Sequence, residues 1–327
     1  MDRALIVGGN ENYYDYPNHN AVSGFDTWGN ALWSQGISSK YIDNTLIREH
    51  QNDLMEFSPD LVVFNTYIFP KDSKYSLCFL YDVFPDAKFV AVMEGLDMQL
   101  SKFRNGNPAI DYWNAIKRAD LVLVPSSRLL ERVRCFDIGE AMLLWTPCNI
   151  DLIKSLYKPT GDGLVYHGAN YHESREIFLS VKLAELTGYR SIICAESSEY
   201  DDILISLDCF FDNVELVKTM SVERFISNVL SRCSITTFIS SNQTSARIAA
   251  ESAIVGIAHV GTPHIWTELF YPNTMTEWVN VEETKKIFEK LKDKTFYDDV
   301  VGYASERVGE NLTFASAGKK LLEILYK

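Results

Sequence analysis

Ile235-Thr-Thr-Phe-Ile-Ser-Ser-Asn-Gln-Thr-Ser-Ala-Arg-Ile-Ala-Ala-Glu-Ser-Ala-Ile-Val-Gly-Ile-Ala-His-Val260 decides the fold. Ile235 to Ile239 has a β-branched bias and predicts a strand. Hydroxyl and amide side chains crowd Ser240 to Ser245, where a helix would start; that helix stops near Gly256, and Ile257 to Val260 follows as a second strand. Strand, polar loop, helix, strand is the unit of a parallel sheet, in which ligands bind beyond the carboxyl ends of strands. Free N–H groups and the helix dipole would favour a phosphate beside Ser241, Gln243, Thr244 and Ser245. Glu251 lies about two helical turns beyond Gln243. A carboxylate there could accept both hydroxyls of a ribose whose phosphates rest at the helix start. A plain hydroxyl cap followed by a solvated glutamate would use the same letters.

The same alternation runs outward in both directions. Towards the N-terminus, Ala4 to Val7, Lys40 to Asp43, Asp60 to Asn65, Ala87 to Met93, Ala119 to Pro125 and Ala141 to Trp145 read as strands. Ser23 is placed to cap the first helix, through Trp28 and Trp33. Leu164 to His167, Ser191 to Ala195 and Glu215 to Val217 repeat the pattern, and the last sixty or so residues read as helices. Tyr157-Lys-Pro-Thr-Gly-Asp-Gly163 has linker chemistry, with one proline and two glycines. The expected architecture is therefore α/β, with Rossmann-like domains at 1–158 and 159–327. The C-terminal helices could pack back on the first.

The 327 residues suit two domains of about 150 each. A net charge of −13 gives no general attraction for nucleic acid or anionic lipid. The opening apolar run is too short for a signal peptide, and nothing approaches the roughly 18 apolar residues of a membrane span, so a soluble cytoplasmic protein is expected. The 6 cysteines are scattered, without CxxC or zinc spacing.

Glu251-Ser-Ala-Ile-Val-Gly256-Ile-Ala-His-Val resembles the signature of GT-B glycosyltransferases, family 4 above all, in which Glu-x-x-x-x-Gly precedes an apolar strand. Arg118-Ala-Asp-Leu-Val-Leu-Val-Pro-Ser-Ser127 and Trp145-Thr-Pro-Cys-Asn-Ile-Asp151 resemble further elements of that family, in its order. The resemblance implies two Rossmann-like domains facing across a cleft, a nucleotide-sugar donor on the second and an acceptor on the first. It also implies a retaining transfer without metal or other cofactor, the nucleoside-diphosphate sugar being a co-substrate. No Asp-x-Asp motif is present. The departures are specific. Gln243 stands where the family has its first glutamate, and Ala169 where it has a phosphate-binding arginine.

On that resemblance Arg175, one position past the family's lysine, is the candidate for the donor diphosphate, with Arg247 the runner-up. Glu94, where the family carries a histidine near the sugar, is the second candidate catalytic residue. The donor set is completed by Gly8 and Gly9, in the turn after the first strand, and by His167 and Gly168. Tyr13, Tyr14 and Tyr16, in the loop Asn10 to Asn20, could stack on an acceptor: a glycan, a small molecule or a nucleic-acid base. His259 reads as a core residue, and His264, in the following loop, as the better site candidate. A sugar-nucleotide epimerase of the same fold, or a binding protein that has lost catalysis, would share most of these features.

Overall fold

The computed structural model describes residues 1–9, 12–66, 76–93, 116–124, 126–135, 139–144, 146–168, 177–195, 211–239, 247–277 and 280–326. They form two compact units, one of those in 1–149 and 310–326, the other of those in 150–309.

The first unit runs β1 (Arg3–Gly8), β2 (Tyr13–Asp15), α1 (Thr27–Trp33), β3 (Ser38–Asp43), α2 (Gln51–Phe57), β4 (Leu61–Asn65), α3 (Ser76–Val83), β5 (Lys88–Val92), β6 (Leu121–Val124), α4 (Ser127–Cys135) and β7 (Ala141–Leu143). Its sheet has the order β2-β3-β1-β4-β5-β6-β7. Every pairing is parallel except that of β2 with β3. Burial on both faces makes the strands near-continuous apolar runs, with side chains alternating between faces. Leu5, Val7, Val62, Phe64 and Val122 pack with Leu54, Leu80, Leu129 and Val133 of α2, α3 and α4. Ala4, Ile6, Tyr41, Val63 and Val90 pack on the other side with Trp28, Ala31 and Leu32 of α1.

In the second unit α5 (Ile150–Leu156), β8 (Leu164–His167), α6 (Ile177–Leu186), β9 (Ser191–Ala195), β10 (Val214–Lys218), α7 (Val222–Asn228), β11 (Cys233–Phe238), α8 (Arg247–Val255), β12 (Ala258–Gly261), α9 (Ile265–Phe270), α10 (Val281–Lys290) and α11 (Lys294–Asn311) follow, the last two residues of α11 falling in the first unit. The sheet, entirely parallel, has the order β10-β9-β8-β11-β12. The last helix, α12 (Phe314–Leu325), belongs to the first unit. Ala317 and Leu321 join the α1 face of its core, and a Cβ on Gly318 would come within 2.3 Å of the Ala31 carbonyl oxygen.

Three local features differ from the sequence reading. The stretch around Tyr13 is an edge strand, because its backbone pairs with β3 through Tyr13–Ile42, Tyr14–Tyr41 and Asp15–Lys40. Helix α1 starts at Thr27 behind Asp26, which makes no side-chain cap, while Ser23 forms an isolated bridge to Cys148. The Pro/Gly run 157–163 is held within the second unit. Lys158 N donates to Ser231 Oγ at 2.8 Å and Thr160 N to Ser231 O at 2.9 Å, and Arg232 Nε pairs with Asp162 at 2.8 Å. Among the described residues no helix is long and apolar enough to cross a membrane.

Candidate functional site

A doubly wound parallel sheet leaves a crevice where successive strands leave in opposite lateral directions. In the second unit that point lies between β8 and β11, which pair side by side with their carboxyl ends together. Gly168 turns the chain off the end of β8 with φ +63°, a left-handed conformation that favours glycine, and its N–H donates to Thr237 O at 2.9 Å. Its neighbour His167 serves the interior. The ring is buried, with Nδ1 3.1 Å from Ser180 Oγ and 3.0 Å from Thr237 Oγ1, and Nε2 2.9 Å from Ser191 Oγ. Burial pulls its pKa down to about 3, so the ring is neutral at physiological pH. With both nitrogens engaged, its side chain has nothing left to offer a donor.

The other half of this crevice is α8, which follows β11. Ile248 to Ile254 are all buried, and the small side chains of Ala249, Ala250 and Ala253 let the helix lie close to its surroundings. Gly256, at φ +77°, ends the helix: the Ser252 carbonyl accepts the N–H of Gly256 at 2.9 Å and of Ile257 at 3.1 Å. Glu251 is therefore not a solvated helix glutamate. It is 2% exposed and pairs with Arg247, whose Nε stands 3.1 Å from Oε1. A buried carboxylate is costly without a cation or several donors, so this pair is a built feature. Ser241, Gln243, Thr244, Ser245 and Arg175 lie outside the described residues, as does Glu94.

The two histidines near β12 are both core residues. His259 is buried between Thr236 and Thr267, and its pKa is lowered to about 3 by burial and by His264. His264, expected in an open loop, is also fully buried, 2.9 Å from Thr262 Oγ1 through Nε2 and edge-on to Phe238. Among the described residues no group of three or more His, Cys, Asp or Glu is placed to hold a metal.

In the first unit the corresponding crevice lies between β1 and β4. Gly8, last in β1, is explained by Tyr41: a Cβ there would fall 2.1 Å from the Tyr41 hydroxyl oxygen. Gly9 follows directly and is partly buried. Tyr13 and Tyr14 lie on opposite faces of β2, and Tyr16 follows the strand. Tyr16 is a core residue, against the expectation of an acceptor contact: it is 7% exposed, lies over Gly29 of α1 and donates its hydroxyl hydrogen to the Asp26 carbonyl. Tyr14 stacks on Tyr41 with centroids 4.9 Å apart. Tyr13, on the opposite face, lies 4.2 Å from the His50 ring, with Lys40 5.5 Å from its centroid. Tyr13 and Tyr14 remain partly exposed.

No protein-family model and no curated protein matches the sequence. Solved structures match along its whole length. Sucrose-phosphate synthase from Thermosynechococcus elongatus superposes with a TM-score of 0.74 at 10% identity, covering 100% of this chain and 98% of its own. For α,α-trehalose 6-phosphate synthase from Burkholderia multivorans the values are 0.69, 7%, 100% and 96%. A lipopolysaccharide outer core galactosyltransferase gives 0.66, 11%, 100% and 99%. At such low identity the likeness is one of fold, and that fold is the one expected from the sequence. The chain has the two Rossmann-like units of the GT-B glycosyltransferases.

Proposed function

We propose that the protein is a glycosyltransferase that moves a sugar from a nucleoside-diphosphate sugar to a hydroxyl of a glycan or small-molecule acceptor, with retention and without metal. The observation that carries this reading is Glu251, a carboxylate buried on the helix that follows the switch-point strand β11 and paired with Arg247. The pair supplies two complementary elements at one helix. The carboxylate can accept the two ribose hydroxyls, and the guanidinium can accompany the phosphates. The N-terminal end of α8 adds the partial positive charge that a leaving diphosphate needs as the bond to the sugar breaks. Arg175 is assigned to the same diphosphate and Glu94 to the reacting sugar, both on the family resemblance. Among the solved structures of this fold, one trehalose-6-phosphate protein from E. coli is bound with UDP-2-fluoro glucose, and a pneumococcal O-GlcNAc transferase is in complex with UDP and GlcNAc. These complexes support a nucleotide-sugar donor for the present chain.

Product analysis tests the reading. The protein is incubated with UDP-, GDP- and ADP-linked sugars and a mixture of sugar and phosphosugar acceptors, and the products are separated. Transfer releases a nucleoside diphosphate together with a new glycoside. Conversion of one sugar nucleotide into another without release would instead identify an epimerase. Binding without turnover would identify a protein that keeps the site and not the chemistry.

A further inference from the structure

Beside Glu251 on α8, Ser252 begins a buried chain of hydroxyl groups whose direction can be worked out from proton counting. Ser252 Oγ donates its single hydrogen to the Ile248 carbonyl oxygen, 2.7 Å away in the first turn of the helix. Thr236 Oγ1 of β11 is 2.6 Å from Ser252 Oγ, so Thr236 must be the donor between them. With that hydrogen used, Thr236 can only accept from His259 Nδ1 of β12, 2.9 Å away. His259 therefore carries its proton on Nδ1, and Nε2 accepts from Thr267 Oγ1 of α9 at 3.4 Å. Thr236, Ser252, His259 and Thr267 are all 0% exposed. A Cβ at Gly261 would stand 2.6 Å from His259 Nε2 and 3.2 Å from Thr267 Oγ1, so glycine is what lets these two groups meet.

We propose that this relay, running from Thr267 through His259 and Thr236 to Ser252, sets the rotation of α8 and thereby the place of Glu251 against the donor. Thr236, Ser252 and His259 are then positioning residues, and the proposal rests on the reading of Glu251 as the ribose-binding carboxylate. The buried apolar side chains of α8, Ile248, Ala249, Ala250, Ala253 and Ile254, pack without directional preference, so they restrain the angle of the helix less sharply than a hydrogen bond. A directional hydrogen bond at Ser252 does fix it, because successive residues of a helix are about 100° apart around the axis. Once Ser252 is locked to β11, the direction of Glu251 follows.

Thr236 allows the positioning role to be separated from a structural one. Thr236→Val keeps the shape and loses the hydroxyl, whereas Thr236→Ser keeps the hydroxyl and loses a methyl group. Affinity for UDP, GDP and ADP is measured by calorimetry for the wild-type protein and both variants, together with their melting temperatures. For a nucleotide that the wild type binds, Thr236→Val should bind on the order of tenfold more weakly, as a misplaced contact group does. Thr236→Ser should bind like the wild type although it melts lower. Should Thr236→Val not fold, Ser252→Ala carries the same expectation for binding. Wild-type affinity in the variant lacking the hydroxyl overturns the proposal and leaves the donor reading standing. Equal weakening in the valine and serine variants overturns it too, by reducing the relay to a packing role. Failure of the wild type to bind any of the three removes the donor reading itself, and the proposal with it.

Discussion

Arg247 Nε stands 3.1 Å from Glu251 Oε1 across one turn of α8, and the two side chains are 45% and 2% exposed. The arginine thus brings charge to the carboxylate from a partly solvated position. Removing only the cation leaves a buried anion. Arg247→Met should lower the unfolding free energy by about 2 kcal/mol, less than the roughly 3–5 kcal/mol of a fully buried pair because the arginine is half in water. Glu251→Gln added to it should restore part of that loss. Urea denaturation of the two variants checks this, and equal stability in both would count against an anionic Glu251.

The neutral core histidines make stability fall in acid. His167 and His259 have folded-state pKa values of about 3, below the ordinary 6.5, with burial the first cause in each. Between pH 6.5 and 3 the unfolded chain binds protons that the folded chain refuses, so falling pH favours unfolding. Above pH 6.5 neither ring contributes. Each histidine should add about 1.4 kcal/mol per pH unit to the slope of stability in that window. Denaturation midpoints measured from pH 7.5 to 4.5 test it; a flat profile would contradict the buried, neutral placement.

Two glycines are filled by neighbours of different stiffness. A Cβ at Gly318 meets the Ala31 backbone carbonyl oxygen at 2.3 Å, whereas one at Gly8 meets the Tyr41 hydroxyl oxygen at 2.1 Å. Alanine at either position should cost about 1–3 kcal/mol through overpacking. Tyr41→Phe should relieve part of the cost at Gly8, since it removes the nearest atom, and none of it at Gly318. Melting temperatures of the single and double variants decide the point.

The different burial of Tyr16 and Tyr13 predicts opposite outcomes for the two. Tyr16→Phe removes the donor to the Asp26 carbonyl in a buried setting and should cost about 1 kcal/mol. Tyr13→Phe, on the more exposed face, should stay within about 0.5 kcal/mol of the wild type. A larger loss at Tyr13 would contradict the assignment of faces.

Much of this was readable from residue types. The runs Ala4 to Val7, Leu61 to Phe64 and Ile192 to Ala195 are strands buried on both faces, and their unbroken apolar character shows it, while Cys233 to Phe238 shows itself by its β-branched residues instead. The edge strand Tyr13–Asp15 was not legible, because three residues with one buried neighbour carry too little pattern. His264 reads as a loop residue by position and is buried, just ahead of α9, against Thr262 and Phe238. The burial of Glu251 was equally hidden. An arginine and a glutamate four apart ordinarily mark a solvated face, and only packing around α8 says otherwise. Packing also decides where the units divide. The glycines at 161 and 163 have linker chemistry, yet the division falls between Asn149 and Ile150, ahead of α5.

The most direct test of the central claim is a thermal-shift screen of wild type and Glu251→Ala against UDP, GDP, ADP, CMP and their sugars. The account predicts that one nucleotide and its sugar stabilise the wild type and that the shift is lost in Glu251→Ala. A shift that survives unchanged in the variant would contradict the assignment of Glu251. No shift with any nucleotide would contradict the glycosyltransferase reading altogether.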